Sequence, residues 1–159
     1  MVVLGYDPAD TTAGAGFWEE LASVAGDGSS TTLTTGTFTA KKYLRFSSYT
    51  TAFLNNKIKF NEDAGTNYSR RYTGNGAGNA TSTAQSGLEL LYALAPAHVE
   101  GIMLNVASLE KNGIVHTSER NTAGAGAALN RSEQVIRWSN TSDQITRIDL
   151  TKTGTNFGT

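Results

Sequence analysis

A chain of 159 residues with 38% hydrophobic side chains fits one domain around one core. With 13 basic and 14 acidic residues there is no basic excess to grip a polyanion, so nucleic acid is not an expected partner. Cysteine is absent, which excludes disulfides, thiolate metal sites and a cysteine nucleophile.

No apolar run approaches the roughly 20 residues that span a bilayer, so membrane insertion is not expected. The opening MVVLGYDPAD has no basic stretch leading into an apolar core, and no signal peptide is expected. Seventeen glycines, two prolines and abundant Thr, Ser and Asn point to β-structure with many turns.

In chain order, VVLG (Val2 to Gly5) reads as a short strand and YDPADTTAGAG as a connection. FWEELASVAG leaves two options open, because Trp18, Leu21 and Val24 mark either one helical turn or an irregular strand. SSTTLTTGTFT alternates around Leu33 and Phe38. KKYLRFSSYTT is clearer: Tyr43, Arg45, Ser47 and Tyr49 share one face, Leu44, Phe46 and Ser48 the other. NKIKFN places Ile58 and Phe60 at period two. NYSRRYT and SGLELLYAL follow, divided by a long connection from Gly74 to Gly87. HVEGIMLNVAS, NGIVHTSERNT, SEQVIRWSNT and QITRIDLTKTG are further strands, with AGAGAALN as a small-residue loop and Ile145, Ile148 and Leu150 at buried sites.

About eight to ten short strands at roughly 10–15-residue spacing, with no long amphipathic helix and no internal repeat, predict a single all-β domain. Its architecture is a two-sheet antiparallel β-sandwich or jelly roll. Residues 1–16 are expected to form an N-terminal strand and linker arm, kept or exchanged with a neighbour, and residues 17–159 the sandwich. Val2 to Leu4 is expected to pair near the C-terminal strand, in the same subunit or in an adjacent one.

The stretch FNEDAGTNYSRRYTGNGAG (Phe60 to Gly78) carries the densest polar chemistry. As a calcium loop it offers oxygens from Asn61, Glu62, Asp63 and Asn67 and a turn at Gly65, but the D-x-[DN]-x-[DN]-G order with a later Glu is missing. Turn-forming Asn and Asp side chains produce the same composition. Asn61 and Asp63 are thus the metal candidates kept, with no cofactor expected. GNGAG and AGAGAA lack the Lys-Ser/Thr pair and the helix of a phosphate loop.

Arg70 and Arg71 point to opposite faces of a strand, and Tyr68 and Tyr72 share the face of Arg70. Such a face binds a sugar or a protein, or packs as a solvated strand with cation–π contacts. His98 and His116 lie in separate segments without a nucleophile motif, and Glu89, Glu100, Glu110 and Glu119 are scattered. An enzyme would require one histidine within reach of a carboxylate in a pocket. Trp138 alternates with Ile136 as core, whereas Trp18 beside a Gly-rich connection is the expected exposed aromatic. N-x-S/T triplets at Asn67, Asn79, Asn130 and Asn140 arise readily in so Asn/Thr-rich a chain.

FWEELASV, AKKYLRF, FNEDAGTNYSRRYTGNGAG, NTAGAGAALNRSE and RWSNTSDQITRIDL resemble segments of uncharacterised virion structural proteins of tailed, often marine, phages. The resemblance runs from about Phe17 onward. It implies an exposed β-sandwich on a virus particle, either a capsid decoration protein or a tail or fibre module. Proteins of this type continue past the point where this chain stops, through a Gly-Ser turn into a Val/Ile-rich strand. Here a segment of that character opens the chain instead. The expected role is non-enzymatic: contact with other virion proteins at the particle surface, with self-association into a homo-oligomer. Trp18, Tyr43, Arg70, Arg71, Tyr72 and Arg120 are the expected contact residues. The alternative is a carbohydrate-binding host-adhesion module that meets a host-surface glycan through exposed aromatics.

Overall fold

The alternation in YLRFSSYT persists along a whole strand: Leu44, Phe46, Ser48 and Thr50 are buried, while Tyr43, Arg45, Ser47 and Tyr49 face the other way. Four further long segments repeat that period of two, and their buried sides together line one core. The computed structural model describes residues 1–8, 17–51, 56–90, 96–119, 124–154 and 156–158.

Twelve strands occur among the described residues: β1 (Val2–Tyr6), β2 (Glu19–Ser23), β3 (Thr32–Thr34), β4 (Tyr43–Thr50), β5 (Lys57–Phe60), β6 (Tyr68–Gly74), β7 (Ala80–Gln85), β8 (Leu88–Glu89), β9 (Ala97–Leu104), β10 (Lys111–Glu119), β11 (Asn130–Trp138) and β12 (Ile148–Thr151). They form an eight-stranded sheet in the order β2-β1-β4-β9-β10-β11-β6-β7 and a four-stranded sheet in the order β3-β12-β5-β8. Pairing is antiparallel throughout, so the fold is the expected all-β sandwich.

The strand count exceeds the expectation for physical reasons. β3 and β8 span three and two residues, too few to display an alternation. β7 lies inside the segment from Gly74 to Gly87 that was expected to be connection. It is reached by a turn in which Asn75 and Gly76 both take positive φ, 51° and 77°, and Ala77 N–H closes on Gly74 O at 2.8 Å. That is the hairpin signature of an Asn-Gly pair. FWEELASVAG resolves as strand, with a bulge in its pairing to β1.

The expected pairing of Val2 to Leu4 near the C-terminal strand is corrected. β1 sits between β2 and β4 in the large sheet, whereas β12 pairs with β3 and β5 in the small one. The last described residues still reach the first sheet's margin, where Met1, Val24 and Phe157 line one depression.

Between the sheets lie Phe46, Val99, Met103, Val115, Ile136, Trp138 and Tyr68 from one side and Ile58, Phe60, Leu88, Ile148 and Leu150 from the other, with Ile145 also fully buried. Phe60, Tyr68 and Trp138 form an aromatic cluster with ring centroids 5.7 to 6.4 Å apart. Each fully buried aliphatic or aromatic side chain contributes about 1.5–3 kcal/mol by leaving water. That burial turns the opposite face of the eight-stranded sheet outward.

Candidate interaction face

The outward face is ordered by strand register. Successive cross-strand partners give one continuous row: Glu20, Leu4, Arg45, Ile102, Ile114, Val135, Arg71 and Thr81. A solvated antiparallel face ordinarily carries polar side chains. Here Ile102, Ile114 and Val135 stand side by side on three adjacent strands, 39%, 45% and 54% exposed. With Arg71, Thr81 and Arg137 they line a shallow depression of about 770 Å³.

The charges around this row fall into two groups. Arg45 pairs with Glu100, Arg131 with Glu133 at 2.8 Å, and Arg137 with Glu110 at 3.0 Å. Arg71 and Glu20, each three strands from Ile102 on opposite sides, are exposed and make no ion pair among the described residues.

At one end of the same face three aromatics meet. Tyr6 lies 6.1 Å from Trp18 and 6.1 Å from Tyr43, the latter ring only 23° from parallel. Lys42 stands 5.8 Å above the Tyr43 ring, and Lys41 pairs with Glu19 at 2.7 Å. Two of the expected contact residues, Trp18 and Tyr43, are thereby brought together. The link is Tyr6, which sequence reasoning did not single out. Its place two residues beyond Leu4 put it on a definable strand face, but only the pairing of β1 with β4 sets it opposite Tyr43.

Arg70 and Arg71 do diverge. Arg71 points out, and Arg70 is buried between the sheets with Tyr68. The aromatic–arginine face therefore serves the interior, and Arg70 and Tyr68 are not free for an external ligand. Arg70 Nη2 donates to Glu89 Oε2 at 2.8 Å, Nη1 donates to the Glu89 carbonyl, and the guanidinium lies 4.6 Å from the Tyr72 ring centroid. Burial pulls the Arg70 pKa down, and the neighbouring Glu89 charge opposes that shift. Tyr72 remains half-buried beside it. Arg120 lies outside the described residues.

Asn61 and Asp63 have structural partners. Asn61 and Glu62 occupy a turn with φ of 50° and 60°, closed by Asp63 N–H on Phe60 O at 2.9 Å. Asn61 Oδ1 accepts the N–H groups of Thr146 at 2.9 Å and Arg147 at 3.1 Å, and Nδ2 donates to Gln144 O at 2.8 Å. Asp63 accepts from Trp138 Nε1 at 2.6 Å, from Asn67 Nδ2 at 2.9 Å and from Gly65 N–H at 2.8 Å. Burial raises the Asp63 pKa, but the bonds from Trp138, Asn67 and Gly65, with the Lys59 charge, outweigh it and hold the carboxyl below its ordinary value. N–H groups aimed at both carboxylate oxygens occupy the positions a cation would need, so these residues do not fit a metal. No cluster of three or more His, Cys, Asp or Glu capable of holding one occurs among the described residues.

The histidines also sit on the outward face. Ser47 Oγ and His98 Nε2 are 3.0 Å apart on neighbouring strands. His116 stands between Glu100 and Glu133 in the register. Neither imidazole is hydrogen-bonded to a carboxylate among the described residues. Comparison of the chain with protein-family models, with curated proteins and with solved structures finds no match.

Proposed function

We propose that the chain is a non-enzymatic structural protein of a phage particle, a capsid decoration or tail-fibre module that acts through protein–protein contacts. The observation that carries this reading is the row of Ile102, Ile114 and Val135, exposed side by side on the face of the large sheet that the small sheet does not cover. A contiguous exposed apolar patch between charged residues is the usual mark of a contact surface. The edge strand β7 adds to this, since ATSTAQ has neither charge nor proline to block pairing with another chain. The resemblance of the quoted segments to phage virion proteins supplies the setting.

The test is an immunoblot, with antibody raised against this chain, of density-gradient-purified particles from cells carrying the gene. A signal that bands with the particles supports the reading. A signal confined to the unassembled fraction sinks it.

A second reading, a glycan-binding adhesion module, is favoured by the Tyr6, Trp18 and Tyr43 cluster, since half-exposed aromatic rings stack on sugars. It predicts saturable binding on a glycan array that disappears in Trp18→Ala.

A further inference from the structure

We infer that the outward face of the eight-stranded sheet pairs with the same face of a second copy of this chain, about a two-fold axis along β9. This rests on the reading of the chain as a protein–protein contact module and names its partner. The carrying observation is the order of residues along the central row. Counting outward from Ile102 on β9, one strand away lie Arg45 and Ile114, two strands away Leu4 and Val135, and three strands away Glu20 and Arg71. A two-fold rotation about β9 exchanges the members of each pair.

Ile102 then meets Ile102 of the second copy, and Leu4 meets Val135. Glu20 meets Arg71, twice by symmetry. These two charges are the pair that makes no ion pair among the described residues, each three strands from Ile102. Arg45 keeps its guanidinium on Glu100 of its own chain and offers its aliphatic stem to Ile114. In the next row Glu100 lies on the axis and faces Glu100 of the second copy, each carboxylate carrying its own Arg45 as counter-charge; Ser47 faces His116, and Val2 faces Glu133, whose carboxylate Arg131 holds at 2.8 Å.

Sheet twist does not oppose this docking. A two-fold rotation about an in-plane axis along the strands carries a twisted sheet into one of identical twist, so the two faces stay parallel across their width. At about 4.8 Å between strands and 3.4 Å per residue, the face from β2 to β6 covers on the order of 600 Å² per copy. Two such faces reach roughly 1,200 Å², the lower bound of a standard specific interface.

The experiment is sedimentation equilibrium of the purified chain and of four variants at exposed positions, with circular dichroism to verify folding. The wild type should be a dimer. Glu20→Arg and Arg71→Glu should each weaken dimerisation roughly tenfold by setting like charges opposite one another. The double variant should restore the wild-type constant. Ile114→Glu, at an exposed position, should yield a folded monomer. A wild-type monomer, or a dimer indifferent to these substitutions, overturns the inference. A monomer that still bands with particles would overturn the dimer while leaving the wider reading intact.

Discussion

The indole N–H of Trp138 donates to the carboxylate of Asp63 at 2.6 Å, joining the last residue of β11 to the loop that carries the chain from β5 to β6. That loop passes from the small sheet to the large one, so the bond fixes where one layer hands over to the other. Replacing Asp63 by Ala leaves the indole N–H of a buried tryptophan and the N–H of Gly65 without their acceptor. Unfolding free energy should fall by about 1–3 kcal/mol, read by urea denaturation. An unchanged midpoint would show the latch to be dispensable.

The same carboxyl carries a pH signature. Its folded-state pKa lies below the ordinary 3.8, so the unfolded chain binds its proton first as pH falls. The stabilisation is therefore complete above the ordinary carboxylate range and is lost as pH drops through the folded-state value. In Asp63→Asn, thermal unfolding followed from pH 6 to about pH 3 should show a shallower acid decline than the wild type.

Phe46 and Gly101 are direct cross-strand partners, and a Cβ on Gly101 would lie 2.2 Å from Cζ of the buried Phe46 ring. The glycine is there to make room for the ring. Gly101→Ala should destabilise by about 1–3 kcal/mol through overpacking. Combining it with Phe46→Leu should cost less than the sum of the two single changes, because the clash is removed.

Arg70 and Glu89 join the sheets across the sandwich, the guanidinium buried and the carboxylate partly exposed. Glu89→Gln leaves a buried cation without its counter-charge and should cost about 1–3 kcal/mol. In a double-mutant cycle with Arg70→Met the second change should add little, since the exposed carboxylate can return to water. Additive effects would mean that the pair is not coupled.

Lys152 is buried, its ammonium has no hydrogen-bond partner among the described residues, and it lies 4.6 Å from the Phe157 ring centroid. Burial pushes its pKa down. Lys152→Met keeps the stem and removes the desolvated charge, so the unfolding free energy should rise by about 1 kcal/mol, and the melting temperature with it. The sign follows from linkage: the unfolded lysine binds its proton more tightly, so wild-type stability should approach that of the variant as pH rises toward 10.5. A lower melting temperature in the variant would reveal a favourable role for the ammonium.

Much of this architecture could be read before any coordinates. β4, β9, β10 and β11 announce their two faces by period two, and Trp138, Ile145, Ile148 and Leu150 fall in the core where patterning put them. β7 was hidden because its side chains are nearly all small and polar, leaving no alternation to detect, although Asn75-Gly76 carried the hairpin signal. The exposed position of Trp18 was legible from its neighbours, but its contact with Tyr6 was not. That contact depends on the register of β1 against β2, which a bulge shifts between Val3 and Leu4, and the stack of Tyr6 on Tyr43 depends on β1 lying beside β4, a non-consecutive pairing that leaves no local trace.

The sequence by itself determined the class of fold, the membership of each long strand's faces and the divergence of Arg70 and Arg71, because all three follow from a local period of two. Only the tertiary structure decided which parity of β6 faces inward, and with it that Arg70 is committed to Glu89 while Arg71 stays exposed. Only register placed Leu4, Ile102, Ile114 and Val135 in one row, since residues as far apart in the chain as Arg45 and Ile102, or Arg71 and Val135, become direct partners through hydrogen bonds between strands. Side-chain pattern specifies a face, but the long-range pairing that aligns several faces into one surface is an interaction of the whole chain.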